Sequence, residues 1–183
     1  MNNNIRITDV SPRDGLQAET VIVETAKKAQ LAKLVQRTGV AEVEVSSFVS
    51  PKWIPQLGDA AEVFDLIASS KPAGVMYSAL VPNERGLDAA IAVNQAARQN
   101  HGIERLIDKV SVFTAASEGF ALKNTNATIE ETLQRFEPVV ARSHEHGLMV
   151  RGYISCIVKC PFDGMINPEA VGDVMTRLLA MGI

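Results

Sequence analysis

The sequence predicts an α/β protein built on a parallel sheet, and three observations predict it. Short apolar, β-branched runs alternate with longer stretches of helical periodicity along the chain. No tight-turn signal joins two of the short runs directly, so each crossover passes through a helix. Polar side chains gather where the short runs end, which is where ligands bind in parallel α/β proteins.

The strand candidates fall at 5–9, 41–45, 74–79, 106–113 and 148–154, and the helical stretches at 25–38, 59–69, 84–100, 128–146 and 168–181. In the first helix Ala26, Ala29, Leu31, Leu34 and Val35 recur at the spacing of one buried face, with Thr25 as the cap and Gly39 as the stop. Thr128 followed by Glu131 is a capping box for the fourth helix. Asn167-Pro168-Glu169 opens the fifth, with proline at the first helical position.

Five such units occupy the 183 residues, and Gly182 reads as a helix stop before a further strand at Ile183. An eight-unit TIM (β/α)8 barrel takes about 250 residues, so the expectation is a barrel-family chain with about five β/α units. An open, doubly wound five-stranded sheet is the rival and fits the length better. No linker divides the chain, and 1–183 is expected to be a single domain.

Composition narrows the function classes. Hydrophobic residues at 46% and charged residues at 21% are globular values. A net charge of −3 and a pI near 5.6 give no electrostatic case for nucleic acid or an anionic membrane surface. A small anionic substrate held by local arginines remains compatible. The opening residues resemble neither a secretory signal nor a transit peptide, and no apolar run approaches the roughly 18 residues of a membrane span. Two cysteines are too few for a disulfide framework in a chain this large. The expected location is the cytoplasm.

The strand ends carry the chemistry. The first ends in Asp9-Val-Ser-Pro-Arg13-Asp14-Gly15-Leu16-Gln17, an arginine and a carboxylate side by side before a glycine turn. Such a pair is poorly suited to a buried strand but suits a site that holds a metal ion and steadies a developing negative charge. The second end gives Glu44, Ser46, Ser47 and Phe48, the third Pro82 and Asn83, the fourth Ser117 and Glu118, the fifth Arg151, Tyr153, Ser155 and Cys156. One polar strand end is unremarkable; five at the same end of a sheet favour a site.

These residues resemble the 3-hydroxy-3-methylglutaryl-CoA lyase family over nearly the whole chain. The resemblance rests on 9–17, on Glu-Val-Ser-Ser-Phe-Val-Ser-Pro-Lys-Trp-Ile-Pro-Gln-Leu-Gly-Asp (44–59), on Ala115-Ala116-Ser117-Glu118 with Lys123-Asn124, and on 150–156. The Arg-Asp-Gly core is shared with isopropylmalate and homocitrate synthases, where Glu-Gln usually follows the glycine. Leu16-Gln17 and the Ser-Phe-Val-Ser-Pro-Lys-Trp run point to the lyase branch. The resemblance implies metal-dependent cleavage of the acyl-CoA to acetoacetate and acetyl-CoA, as in leucine degradation and ketone-body formation. It implies Asp14 as a ligand of Mg²⁺ or Mn²⁺, Arg13 as the cation that stabilises the enolate oxygen, and Glu44 as the carboxylate that orients Arg13. Gln17, Ser47 and Tyr153 are further candidate substrate contacts. The implied partner is a small-molecule acyl-CoA, without nucleic acid or membrane; a homo-oligomer is compatible.

Other parts of the family pattern have no counterpart here: a His-x-His pair on a later strand, a later asparagine ligand, and a glycine-rich loop with a catalytic cysteine. His144-Glu145-His146 is no substitute, because residues two apart on a helix diverge. Cys156 and Cys160 with those histidines could match a zinc site by spacing alone, and the same helix geometry opposes it. Residues 94–110 are longer than the family usually has, predicting a longer helix or an added loop. Two alternatives stay open: a related acyl-CoA lyase or Claisen-type acyltransferase, and a non-catalytic fragment that associates with another chain.

Overall fold

The computed structural model describes residues 5–183. The first four residues, part of the stretch read as lacking a leader, lie outside the described residues. Five strands, β1 (Thr8–Asp9), β2 (Glu42–Ser47), β3 (Met76–Leu80), β4 (Lys109–Ala115) and β5 (Met149–Ser155), form a parallel sheet in the order β1-β2-β3-β4-β5. Strands adjacent in sequence are adjacent in the sheet, with no reversal of order. A doubly wound sheet requires such a reversal, so the order decides for the barrel-type expectation. Helices α1 (Thr25–Val35), α2 (Ala60–Ile67), α3 (Glu84–His101), α4 (Glu118–Thr125), α5 (Ile129–Glu145) and α6 (Pro168–Ala180) complete the repetition. The chain divides into two compact units, one of residues up to 81 with 85–110, the other of 82–84 with 111–183.

In the first unit, Thr8 pairs with Glu42, Glu42 with Met76 and Glu44 with Ser78, and the register shifts between Glu44 and Ser46. Partners in register share a face, so Glu42, Glu44, Met76 and Ser78 stand on one face of β2–β3 and Val43 and Tyr77 on the other. α1 and α2 pack together and onto β2, with Ala32, Val63, Phe64 and Ile67 almost completely buried. Each large apolar side chain buried there contributes about 1.5–3 kcal/mol.

The first strand is shorter than expected. Ile5 and Ile7 are 90% and 60% exposed, although the Ile7 carbonyl still accepts from Ala41 and Glu42 N–H. The expected face of α1 is also corrected. Leu34 is 53% exposed and Ala26 is exposed, while Lys28, Ala29, Ala32 and Val35 are buried. Lys28 escaped the periodicity because its ammonium is satisfied internally, by the Gln56 carbonyl and by Asp59 at 2.8 Å. Thr25 does not cap α1; Glu24 holds the cap position, and the Thr25 hydroxyl donates to Asp59 at 2.7 Å. Gly39, at φ 88°, turns the chain after a short 3-10 extension of the helix.

Residues 94–110 form the end of α3 and the loop that leads to β4. α3 runs to His101, and the Asn94 amide then ties the loop back. Its Oδ1 accepts from Leu106 and Ile107 N–H at 3.0 and 2.7 Å, and its Nδ2 donates to the Ile107 carbonyl at 3.0 Å.

In the second unit, α5 carries the expected capping box: the Thr128 hydroxyl accepts from Glu131 N–H, and the Glu131 carboxylate from Thr128 N–H. Asn167 caps α6 ahead of Pro168. Two features depart from the expectation. α4 is an additional helix, capped by Ser117, which accepts from Phe120 N–H at 3.1 Å. β6 (Lys159–Cys160) and β7 (Gly164–Met165) form an antiparallel hairpin, contrary to the absence of hairpin signals. Asp163-Gly164 is the missed signal, with Gly164 at φ 77°.

Candidate functional site

The turn after β1 builds the site from backbone geometry. The Val10 carbonyl accepts from Arg13, Asp14 and Gly15 N–H at 3.1, 2.7 and 3.3 Å, winding 11–15 into one wide π-helical turn. Wide turns of this kind recur at functional sites because they re-aim side chains. Asp9 holds the entry, its carboxylate accepting from Ser11 N–H at 2.9 Å and from the Ser11 hydroxyl. Buried Pro12 fixes φ one residue before the arginine.

Arg13 is thereby aimed at β2. Its Nε donates to Glu44 Oε1 at 2.5 Å and its Nη1 to Asp14 Oδ1 at 2.5 Å. The side chains of Arg13 and Glu44 are 11% and 0% exposed, and that of Asp14 is 61% exposed. Taking a carboxylate out of water costs several kcal/mol unless a cation and hydrogen bonds compensate it, so the Arg13 bond is a condition of Glu44 being in β2. The guanidinium is held on two sides, and its Nη2 has no protein partner among the described residues. A fixed cation with free N–H donors is suited to an anionic oxygen.

The structure thus joins Arg13, Asp14 and Glu44, and places the other expected residues differently. Ser47 is buried, and its hydroxyl accepts from Val49 N–H at 3.2 Å, a local turn contact. Gln17 is exposed just beyond the wide turn. Tyr153 belongs to the second unit, where Arg151 Nη1 donates to its hydroxyl at 3.3 Å and the guanidinium lies 5.8 Å from its ring centre. Trp53 is 62% exposed in its loop, and Lys52 and Lys123 are exposed.

Two polar features escaped the sequence reading. Glu42, two residues before Glu44 and on the same face, pairs with Lys109 at 2.5 Å; the Glu-Val-Glu-Val alternation is the signal that both carboxylates need inward cations. Ser78, opposite Glu44 in register, is buried with no hydrogen-bond partner for its hydroxyl.

Asp14 offers an exposed hard oxygen, a suitable donor for Mg²⁺ or Mn²⁺. It is a single ligand, however: among the described residues no group of three His, Cys, Asp or Glu side chains could hold a metal ion. His144 and His146 are exposed around the end of α5, and Cys160 is buried in β6, so the four do not make a zinc site. Asp14 thus supplies one oxygen donor of the several that a divalent ion takes. Among the described residues no helix is long and apolar enough to cross a membrane.

Comparison with known proteins finds relatives over nearly the whole chain. A model of the HMGL-like family matches residues 4–183. A Pseudomonas aeruginosa protein named 3-hydroxy-3-isohexenylglutaryl-CoA/hydroxy-methylglutaryl-CoA lyase is 43% identical over 178 residues, covering 97% of this chain and 55% of that relative. The crystal structure of HMG-CoA lyase from Brucella melitensis superimposes with a TM-score of 0.85 at 43% identity, covering 97% of this chain and 58% of that one. An HMG-CoA lyase from Acinetobacter baumannii, solved with coenzyme A and 3-methylmalate, gives a TM-score of 0.84 at 29% identity, with 97% and 53% covered. Relatives include proteins named cytoplasmic and others named mitochondrial. The chain spans about half the length of the curated relatives it matches. A match running from residue 4 to residue 183, on strands that follow one another as in a barrel, shows that this chain belongs to the HMGL-like family.

Proposed function

We propose that this chain carries the Arg13–Glu44 part of a lyase that cleaves 3-hydroxy-3-methylglutaryl-CoA to acetoacetate and acetyl-CoA, as in leucine degradation. The observation that carries the reading is the guanidinium held by Glu44 and Asp14 with Nη2 unspent. In the reaction, a base takes the proton of the tertiary hydroxyl, the adjacent carbon–carbon bond breaks, and the leaving fragment is a thioester enolate. Its oxygen gains negative charge as the bond breaks. Arg13, already oriented, stabilises that charge without reorganising at the moment of reaction. Glu44 acts through Arg13 and is a positioning residue. Asp14 is the proposed ligand of a divalent ion, Mg²⁺ or Mn²⁺, which supplies Lewis-acid polarisation of substrate oxygens when bound. Gln17, Ser47 and Tyr153 are proposed as contacts to the substrate.

The names and contents of the relatives support an acyl-CoA substrate, since one was solved with coenzyme A. The Pseudomonas relative's name covers two acyl groups, so acyl preference is part of the test. Residues 1–183 are taken as part of one barrel domain, and a cytoplasmic location and a homo-oligomer belong to the same proposal. The test is a cleavage assay with 3-hydroxy-3-methylglutaryl-CoA and Mg²⁺, on this chain and on a form extended through its reading frame. Acetoacetate release by the extended form is expected, falling about 10²–10³-fold with Arg13→Ala, the usual loss for one oxyanion donor. Undiminished turnover by Arg13→Ala would sink the reading.

A further inference from the structure

The first unit holds an open groove of about 720 Å³ at the N-terminal ends of β3 and β4. That is the opposite end of the parallel strands from the turn that carries Arg13. One wall is the 68–76 segment leading from α2 into β3, and the other is the 101–108 segment leading from α3 into β4. Lys71 clamps the two walls together. Its ammonium donates to the Arg105 and Leu106 carbonyls at 3.1 and 2.9 Å, and to Asp108 Oδ2 at 2.6 Å. The same carboxylate oxygen accepts from Tyr77 N–H at 2.8 Å. His101 Nε2 lies 2.8 Å from Asp65 Oδ1 and fixes the end of α3 against α2. The groove is therefore formed before any ligand arrives, and its volume is in the range of small-molecule sites.

The charges along the lining do not cancel. Lys71 and Asp108 neutralise each other, and all three ammonium protons of Lys71 are taken. Glu104, next to Arg105 in sequence, is paired with Arg98 instead. Arg105 is exposed, and its guanidinium has no hydrogen bond or ion pair among the described residues. Residues at this end of a barrel strand usually serve stability, but the clamp is complete without the Arg105 side chain. Pro72, Val75, Met76 and Ile103 supply apolar wall, and Ser69 adds a hydroxyl with no partner among the described residues.

We propose that this groove binds a small monocarboxylate with an apolar body. The planar fork of Arg105 matches a carboxylate through two parallel N–H donors, and the apolar wall takes the carbon chain. The lining has one unspent guanidinium beside the Asp108 carboxylate, which favours a single negative charge over a dianion. A second charge on the ligand would stand near Asp108 without a counter-ion, and such like-charge placements are costly. Polyphosphorylated ligands are disfavoured for the same reason, so the groove is a second site and not an extension of the proposed lyase site. It does not involve Arg13 and stands or falls separately from the lyase reading.

Hexanoate is the probe, with hexanamide as its uncharged counterpart and hexyl phosphate, at about pH 8, as its dianionic one. In NMR titrations of the 183-residue chain, backbone amides within 71–76 and 101–108 should shift saturably with hexanoate. The expected Kd is about 1 mM. Hexanamide should bind at least about tenfold more weakly, the loss of one charge-assisted contact, and hexyl phosphate no more tightly than hexanoate. Arg105→Gln should weaken hexanoate about tenfold and leave hexanamide as it was. Shifts that stay linear to about 20 mM, or saturable shifts confined to 11–15, would overturn the proposal. So would hexanamide binding as tightly as hexanoate, hexyl phosphate binding more tightly, or Arg105→Gln leaving hexanoate unaffected. The comparison of the three probes uses the unsubstituted chain, so it holds even where the variant folds poorly.

Discussion

Arg13 is two things at once, a charge the fold needs and a charge the proposed reaction needs. Glu44 is fully buried and accepts from Arg13 Nε. Arg13→Ala should cost about 3 kcal/mol of stability, since truncating one partner leaves the other's desolvation less compensated. Arg13→Lys should keep some of that stability but little of the orientation, because an ammonium cannot donate along two fixed directions to Glu44 and Asp14. Urea midpoints of the two variants check this; equal losses would show that charge alone is being used. Tyr77 gives a second residue-scale test. Its hydroxyl donates to Gln36, and burial is the main cause raising it from 10.0 to about 12. The folded state therefore prefers the neutral phenol. The contribution is complete below the unfolded value of 10.0 and lost as pH rises through about 12. That is about 3 kcal/mol across the window. Tyr77→Phe should lower stability at neutral pH yet flatten the decline between about pH 10 and about pH 12, read as urea midpoints against pH.

At the scale of elements, what could be read from sequence was what repeats or caps. The long helices showed their period, Thr128 and Asn167 announced their caps, and Arg13 and Asp14 stood out because charges before a glycine turn have no place in a strand. The resemblance already implied Glu44 as the partner of Arg13; what was not legible is the wide turn that aims the arginine, because it depends on three backbone bonds to Val10. α4 was missed for a physical reason: of its eight residues only Ala121 is buried, so it presents no apolar stripe. Lys28 misled the register of α1 because a buried ammonium with internal acceptors looks, in sequence, like a solvent-facing lysine. The β6–β7 hairpin is held by Asp163, whose carboxylate accepts from the Ser117 hydroxyl and from Gly119 N–H at 2.8 Å. Those two bonds, the hydroxyl first, hold Asp163 below the usual carboxylate range. Its contribution is present above the unfolded pKa and lost as pH falls through the folded one. A methyl group at position 119 would collide with that carboxylate. Gly119→Ala should therefore return Asp163 to an ordinary titration, followed by NMR of its carboxyl carbon. It should also narrow the stability difference from the unsubstituted chain on acidification. Alanine's better helix propensity, up to about 1 kcal/mol over glycine, offsets part of the loss, which makes the titration the decisive readout. An unchanged Asp163 titration would mean that the clasp is not what lowers its pKa.

For the whole molecule, the feature to explain is apolar surface left in water. Ile157, Val158, Phe162 and Met165 are 54%, 63%, 53% and 74% exposed, all on or beside one hairpin. Single exposed apolar residues are ordinary, but four within nine positions of sequence make a local patch of the kind that marks an interaction surface. The strand order adds a second exposure, since β1 and β5 are the outer strands of the sheet and outer strands offer unpaired backbone groups. The expected outcome is concentration-dependent self-association of the 183-residue chain, seen as a rising sedimentation coefficient across about 1–100 µM. The two sources separate by substitution. Met165→Lys with Val158→Lys should return the chain to a monomer if the hairpin patch drives association, because two ammonium groups would then face each other across the contact. If the outer strands drive it, the same pair of changes leaves the sedimentation unaltered, and a proline at exposed Met149 in β5 is the change that abolishes it, through loss of an N–H donor. A chain that stays monomeric over the whole range would show that these side chains tolerate water, and that neither the patch nor the strand edges are sufficient to recruit a second copy.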